Sequence, residues 1–280
     1  LLSNSTLPGE AFLGWGREHI AQFLGAPKRI AFVPFAAVTT SMDDYAERTR
    51  EVFTGLGHDL FSLHHETDKV KALGAAEAVL VGGGNSFQLL RTLYTTELVR
   101  AIRVRVMGGL PYVGWSAGSN VACPTIMTTN DMPITEVPTL RAMGLVPFQI
   151  NPHYTDVKPE GHGGETRDQR ILEYLEINRK AVVAGLREGA LLHVRGDHLT
   201  VEGTGVRVFR HGKEPRDIAG GVNLRTSLAD AVVLLSTFLL TVFFDLLTGI
   251  GVGVLLGSFL FMHRMAEAID VEGGAKLVRD

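Results

Sequence analysis

The sequence predicts an α/β fold, a three-layer sandwich around a mostly parallel sheet, on two observations. Short apolar runs rich in β-branched residues alternate with longer amphipathic stretches, and the Gly-rich segments fall where the apolar runs end. A third observation divides the chain: from Ala231 to Met262 runs an apolar stretch of 32 residues whose only charge is Asp245. Residues 1–221 therefore read as one domain and 222–280 as an apolar helical tail.

The elements follow in order. "RIAFVPFA" reads as a strand, "MDDYAERTREVFTGLG" as a helix, "AEAVLVGGG" as a strand, "SFQLLRTLYTTELVRAIRVRVMGG" as one helix and "LPYVGWS" as a strand. Strand-helix alternation of this kind places ligand sites beyond the carboxyl ends of a parallel sheet. "AVVAGL", "ALLHVRGDHLTVEG" and "GVRVFRHG" read as shorter, more antiparallel strands with tight Gly turns, the sheet ending near Gly221. The opening "LLSNST" reads as a strand, and because a buried strand rarely starts on the first residue, a chain trimmed at its N-terminus is expected. No basic segment followed by a long apolar one marks a signal peptide.

Composition bounds the function. The formal net charge is -3, from 27 Lys+Arg against 30 Asp+Glu, so no basic excess exists to neutralise a phosphate backbone, and nucleic acid is not an expected partner. Cys123 is the single cysteine. It excludes an internal disulfide and any multi-Cys metal site, and suits a reducing, cytoplasmic compartment for residues 1–221. The stretch 231–262 is long enough for one tilted membrane span or a short hairpin hinged at Asp245, which predicts membrane association of the tail.

The chemistry centres on "PYVGWSAGSN". A strand entering G-x-S-x-G and leaving as a helix is a nucleophile elbow, which lifts the hydroxyl of Ser116 above the sheet. A serine needs a base within hydrogen-bond reach and a third group to orient that base. Of the ten histidines, His153 in "FQINPHYTD" lies at a strand end on the same rim as Ser116. His64 and His65 read as part of a polar connection. Asp131 and Glu188 both lie near turns that follow strands, and either suits the third role. Backbone N–H groups near Gly84, in "VGGGNSFQLL", and at Ala117 suit an oxyanion hole, while that stretch lacks the spacing and the Lys of a nucleotide loop. His162 and Glu165 in "GHGGE" make only two ligands, so no metal or other cofactor is expected.

Together, "LLSNSTLPG", "VPFA", "VGGGNSFQLL", "GWSAGSNVACPTIMTTNDMPI", "QINPHYTD" and "PEGHGGETRDQRI" resemble the peptidase E family of aspartyl dipeptidases, over roughly residues 1 to 220. The resemblance implies a fold similar to class I glutamine amidotransferases, with serine in place of their cysteine, and hydrolysis of dipeptides that begin with aspartate. It places the nucleophile on Ser116, the histidine on His153, and the acid on Glu188 or Asp131, with Glu188 favoured. Arg167 is the candidate partner of the substrate's aspartyl carboxylate, and Asn85 joins it as a substrate-binding candidate. The tail departs from that pattern and resembles the final membrane segments of sulfate permease transporters. Two alternatives stand beside this reading: a cyanophycinase-like peptidase of the same fold, and a non-catalytic, membrane-anchored binding domain.

Overall fold

The computed structural model describes residues 1–157, 163–196 and 198–225, together with Val254, Leu255 and Ser258. In chain order the elements are α1 (Arg17–Leu24), β1 (Arg29–Val33), α2 (Met42–Thr54), β2 (Asp59–Ser62), a 3-10 turn (Leu63–His65), α3 (Lys69–Gly74), β3 (Ala78–Val81), α4 (Ser86–Thr95), α5 (Leu98–Met107), β4 (Tyr112–Gly114), α6 (Ala117–Ala122), β5 (Gln149–Tyr154), α7 (Arg167–Ile177), β6 (Val182–Arg187), β7 (Ala190–Arg195), β8 (His198–Gly203), β9 (Val206–Arg210), β10 (Lys213–Ile218) and β11 (Val222–Arg225).

The first four strands form a parallel sheet of order β2-β1-β3-β4. Ile30–Val33 and all of β3 are buried, as strands covered on both faces must be. Successive side chains point to opposite faces, so each strand feeds two cores. Ala31, Val33, Val79 and Val81 pack with Leu89, Leu90 and Leu93 of α4 and Leu98 and Ile102 of α5. Ile30, Phe32, Ala78 and Leu80 pack with Ile20 and Leu24 of α1, Ala46 and Phe53 of α2, and Trp115. These are the three layers. A second sheet, β10-β9-β6-β5, is mixed: β5 and β6 run parallel, while β6, β9 and β10 pair antiparallel. β7, β8 and β11 make a third sheet.

Several expectations are corrected. The single helix over residues 86–109 is two helices, because the Thr95 and Thr96 hydroxyls both bond the Thr92 carbonyl and Glu97 turns left-handed at φ 58°. "LLSNST" is not a strand: Leu2 alone bridges Trp115 and Leu191, and the next two side chains are committed to other contacts. Strand structure also runs past Gly221 into β11.

The chain folds as two compact units. The first comprises Leu1–His193 and Thr200–Asn223; the second takes Val194–Leu199 and resumes at Leu224. The hydrophobic, membrane-spanning tail is corrected too, since among the described residues no helix is long and apolar enough to cross a membrane. The stretch 231–262 lies outside the described residues except for Val254, Leu255 and Ser258, which are helical.

Candidate active site

Ser116 sits between β4 and α6 with φ 52° and ψ −113°, a backbone conformation that costs about 1–3 kcal/mol and persists only when its surroundings enforce it. They do. A Cβ on Gly118 would fall 2.1 Å from the Val81 carbonyl oxygen, so helix α6 approaches β3 only with glycine there. The Tyr112 hydroxyl donates to the Gly118 carbonyl at 2.6 Å, and the buried Ser119 hydroxyl lies 2.7 Å from the Leu2 carbonyl and 2.9 Å from that of Gly114. Ser116 N–H donates to the Leu2 carbonyl at 3.1 Å. Below the elbow, Trp115 is buried and donates Nε1–H to the Tyr45 hydroxyl at 2.8 Å.

His153 also has a positive φ, 53°. It follows Pro152 in β5 where the register with β6 shifts between Asn151 and Tyr154, a bulge that re-aims the side chain. Its N–H donates to Ser3 Oγ at 2.9 Å, and the Ser3 hydroxyl donates to the Leu186 carbonyl at 2.9 Å. The ring lies half exposed on the rim. Nε2 is 3.0 Å from Ser116 Oγ, and Nδ1 is 3.0 Å from Glu188 Oε1.

Glu188 occupies the tight turn between β6 and β7. Gly189 N–H donates to Asn4 Oδ1 at 2.9 Å, and the Thr204 hydroxyl donates to the Glu188 carbonyl at 2.8 Å. Serine, histidine and carboxylate thus stand in one hydrogen-bonded line, brought from three segments.

Asp131 is placed elsewhere. Its Oδ2 accepts the Ser86 N–H at 2.7 Å and the Thr129 hydroxyl at 3.1 Å, so it satisfies the N-terminus of α4, where a negative charge is favoured. Of the two acids left open by the sequence, Glu188 meets His153. Asn85 is the cap of α4: its Oδ1 accepts from Phe87 and Gln88 N–H, and its Nδ2 donates to the Met132 carbonyl at 2.9 Å. Those bonds make Asn85 the cap of α4 and leave one Nδ2–H unassigned.

Gly84 has φ 136°, and a Cβ there would fall 2.1 Å from the Ala36 carbonyl oxygen, so only glycine fits. The preceding Gly83 packs on Ser116, its ideal Cβ position lying 3.0 Å from Ser116 Cβ. Among the described residues no backbone carbonyl takes the N–H of Gly84 or of Ala117.

Arg167 opens α7 behind a capping box formed by Thr166 and Gln169. Burial, and then the charge of Arg170, hold its guanidinium below the ordinary arginine range. Arg170 pairs with Glu165 at 3.6 Å, whereas Arg167 has no anionic partner among the described residues. His162 lies outside the described residues.

The sequence reading missed Ser3 and Asn4. Both are buried, and each holds one arm of the site. Their only signal was two polar residues directly after Leu1 and Leu2 in a stretch taken for a strand.

Comparison with known proteins places this geometry in a lineage. The model of Peptidase family S51 matches residues 1–202. Peptidase E of Nostoc sp. is 46% identical over 219 residues, 78% of this chain and 90% of its own. Peptidase E of Streptomyces coelicolor is 48% identical over 226 residues, covering 80% and 92%. The crystal structure of a peptidase from an acI-B1 Actinobacterium, 19% identical, superposes with a TM-score of 0.57 over 80% of this chain and 94% of that one, which shows a shared fold. The family match ends at residue 202, and the likeness of the tail to sulfate permease segments is withdrawn together with the membrane span. With its matched region covering most of the sequence and relatives this close along nearly their whole length, the chain belongs to Peptidase family S51.

Proposed function

We propose that the chain is a serine-type dipeptidase that hydrolyses the peptide bond after an N-terminal aspartate. The observation that carries this reading is the line from Ser116 Oγ through His153 to Glu188, with both links at 3.0 Å. Kinship with peptidase E proteins at 46 and 48% identity supports it.

Each step has a residue. Ser116 Oγ attacks the peptide carbonyl carbon while His153 Nε2 takes its proton, and the Nδ1–H of the resulting imidazolium is held by Glu188. The negative charge that develops on the carbonyl oxygen faces the N–H groups of Gly84 and Ala117, each such donor being worth about 3–4 kcal/mol. His153 then gives its proton to the leaving amine, leaving an acyl-enzyme on Ser116. Water, deprotonated by the same imidazole, releases aspartate. Arg167 supplies selectivity: a partly buried guanidinium with no anionic partner among the described residues fits a side-chain carboxylate, which could not be desolvated alone without a cost of several kcal/mol.

Hydrolysis of Asp-Leu and Ala-Leu by the full chain, read as kcat/KM, tests both assignments. Ser116→Ala should lower turnover of Asp-Leu by at least ~10³-fold. Arg167→Met should reduce kcat/KM for Asp-Leu far more than for Ala-Leu. Full activity of Ser116→Ala would overturn the nucleophile, and equal losses on both substrates would make Arg167 structural.

A further inference from the structure

Away from this site, the edge strand β2 runs into the 3-10 turn Leu63–His65, which ends in two consecutive histidines, His64 and His65. Their rings stack at 3.9 Å between centroids, with planes 37° apart. Opposite them, Asp43 in the first turn of α2 places Oδ1 3.0 Å from His64 Nε2 and 3.0 Å from His65 Nε2. All three donor atoms lie within 4.8 Å of one another.

We propose that Asp43, His64 and His65 form a binding site for a divalent transition metal of the zinc class, distinct from the catalytic line. Two imidazole nitrogens and one carboxylate oxygen are the donor set such ions favour, and metal-ligand bonds near 2.0–2.1 Å in a tetrahedron set ligand atoms ~3.3 Å apart. The two observed separations of 3.0 Å need little adjustment to admit an ion.

A second observation points the same way. The His64 side chain is only 10% exposed, and its other nitrogen, Nδ1, lies 2.6 Å from the hydroxyl of buried Ser62. With a metal on Nε2, Nδ1–H donates to Ser62 Oγ, the outer bond that fixes tautomer and ring orientation in histidine-metal sites. His65 and Asp43 stay open to solvent at 57% and 73%, which leaves an entry path and room for water as fourth ligand.

The place in the fold says what the ion does not do. β1 and β3 separate β2 from β4, so at ~4.8 Å per strand the site stands roughly 14 Å along the rim from the elbow. The ion is therefore no Lewis acid for the peptide bond. It ties the first turn of α2 to the end of β2.

Calorimetric titration of the full chain with zinc chloride tests the site. One ion per chain should bind, and each of Asp43→Asn and His65→Gln should weaken it at least ~10-fold, with Ser62→Ala weakening it by a similar factor through the outer bond. Asp43 and His65 are exposed and remote from the catalytic line, so these variants should keep the rate on Asp-Leu, and the thermal midpoint of the metal-free protein should fall only by the small contribution of a charged first-turn carboxylate in Asp43→Asn. Zinc should raise the midpoint of the unaltered chain and not that of Asp43→Asn. Unchanged affinity in the Asp43 and His65 variants, or no binding at millimolar zinc, would show a plain hydrogen-bonded cluster and overturn the proposal.

Discussion

The turn at Ser116 on the parallel sheet is shaped largely by its own segment, Gly114, Gly118 and Tyr112, with the Leu2 carbonyl accepting its N–H from far away in the chain. On the mixed sheet, His153 is held by Ser3, 150 residues away in the chain, and the turn of Glu188 by Asn4, 185 residues from its partner Gly189. The shape of the nucleophile's turn is written mostly in its neighbours, whereas its base and acid are positioned by distant residues. A steric requirement for glycine shows in the sequence as a spacing, whereas a hydroxyl that receives an N–H from a distant strand leaves no pattern. The same division predicts how each half fails: the elbow through a misplaced Cβ, the relay through the loss of an anchor far from the chemistry.

The sharpest contrast lies between the two acids. Glu188→Gln keeps the shape of the turn but removes the charge that stabilises the imidazolium, so kcat for Asp-Leu should fall by ~10² to 10⁴-fold with the fold intact. Asp131→Asn should leave kcat within a few-fold and instead cost about 0.3–1 kcal/mol of stability, because it weakens the charge at the start of α4. Kinetics and urea unfolding on both variants decide it. A large kcat loss in Asp131→Asn with a mild one in Glu188→Gln would reverse the assignment.

Ser3→Ala probes the anchor. It removes the acceptor of the part-buried His153 N–H and the donor to the buried Leu186 carbonyl, at a cost of about 1–3 kcal/mol. With β5 free to relax at its bulge, a shift of ~1 Å in the imidazole can cost on the order of 10²-fold in rate. Both effects should appear together, as lower kcat with KM little changed and a lower urea midpoint. A variant that loses stability and keeps its full kcat would mean that the bulge and Pro152 alone aim His153.

What the sequence made legible follows the same line. Alternating strands and helices, the elbow and the strand-end histidine are encoded in periodicity and spacing, and those readings reach the parallel sheet, Ser116 and His153. Local pattern alone does not separate Asp131 from Glu188, because both follow strands; the preference for Glu188 comes from the family resemblance, and only tertiary placement separates a helix-capping carboxylate from one beside an imidazole. The capping role of Asn85 was not legible, because an N-cap and a substrate ligand use the same amide chemistry. Thr95 and Thr96 broke a helix that hydropathy ran through. His64 and His65 looked like an ordinary polar connection until α2 brought Asp43 against them.

The smallest expected effect tests the parallel half away from the site. His58 closes the connection from α2 to β2, buried against Phe53, and its Nδ1 accepts the Lys28 N–H at 3.1 Å. Accepting there requires the neutral ring, and burial, followed by the charge of Lys28, lowers its pKa below the ordinary 6.5. The sign follows from linkage. Above pH ~6.5 the ring is neutral folded and unfolded and contributes no slope. As pH falls from there towards the lowered folded value, the unfolded chain binds a proton that the folded one resists, so stability falls; below that value the slope vanishes. His58→Asn offers Oδ1 to the same Lys28 N–H and does not titrate. It should therefore lose less of its thermal midpoint than the unaltered chain between pH ~7.5 and ~5.5, with every other histidine common to both proteins. Parallel midpoint curves for the two would mean that His58 takes up its proton in the folded state and that the Lys28 bond does not hold it neutral.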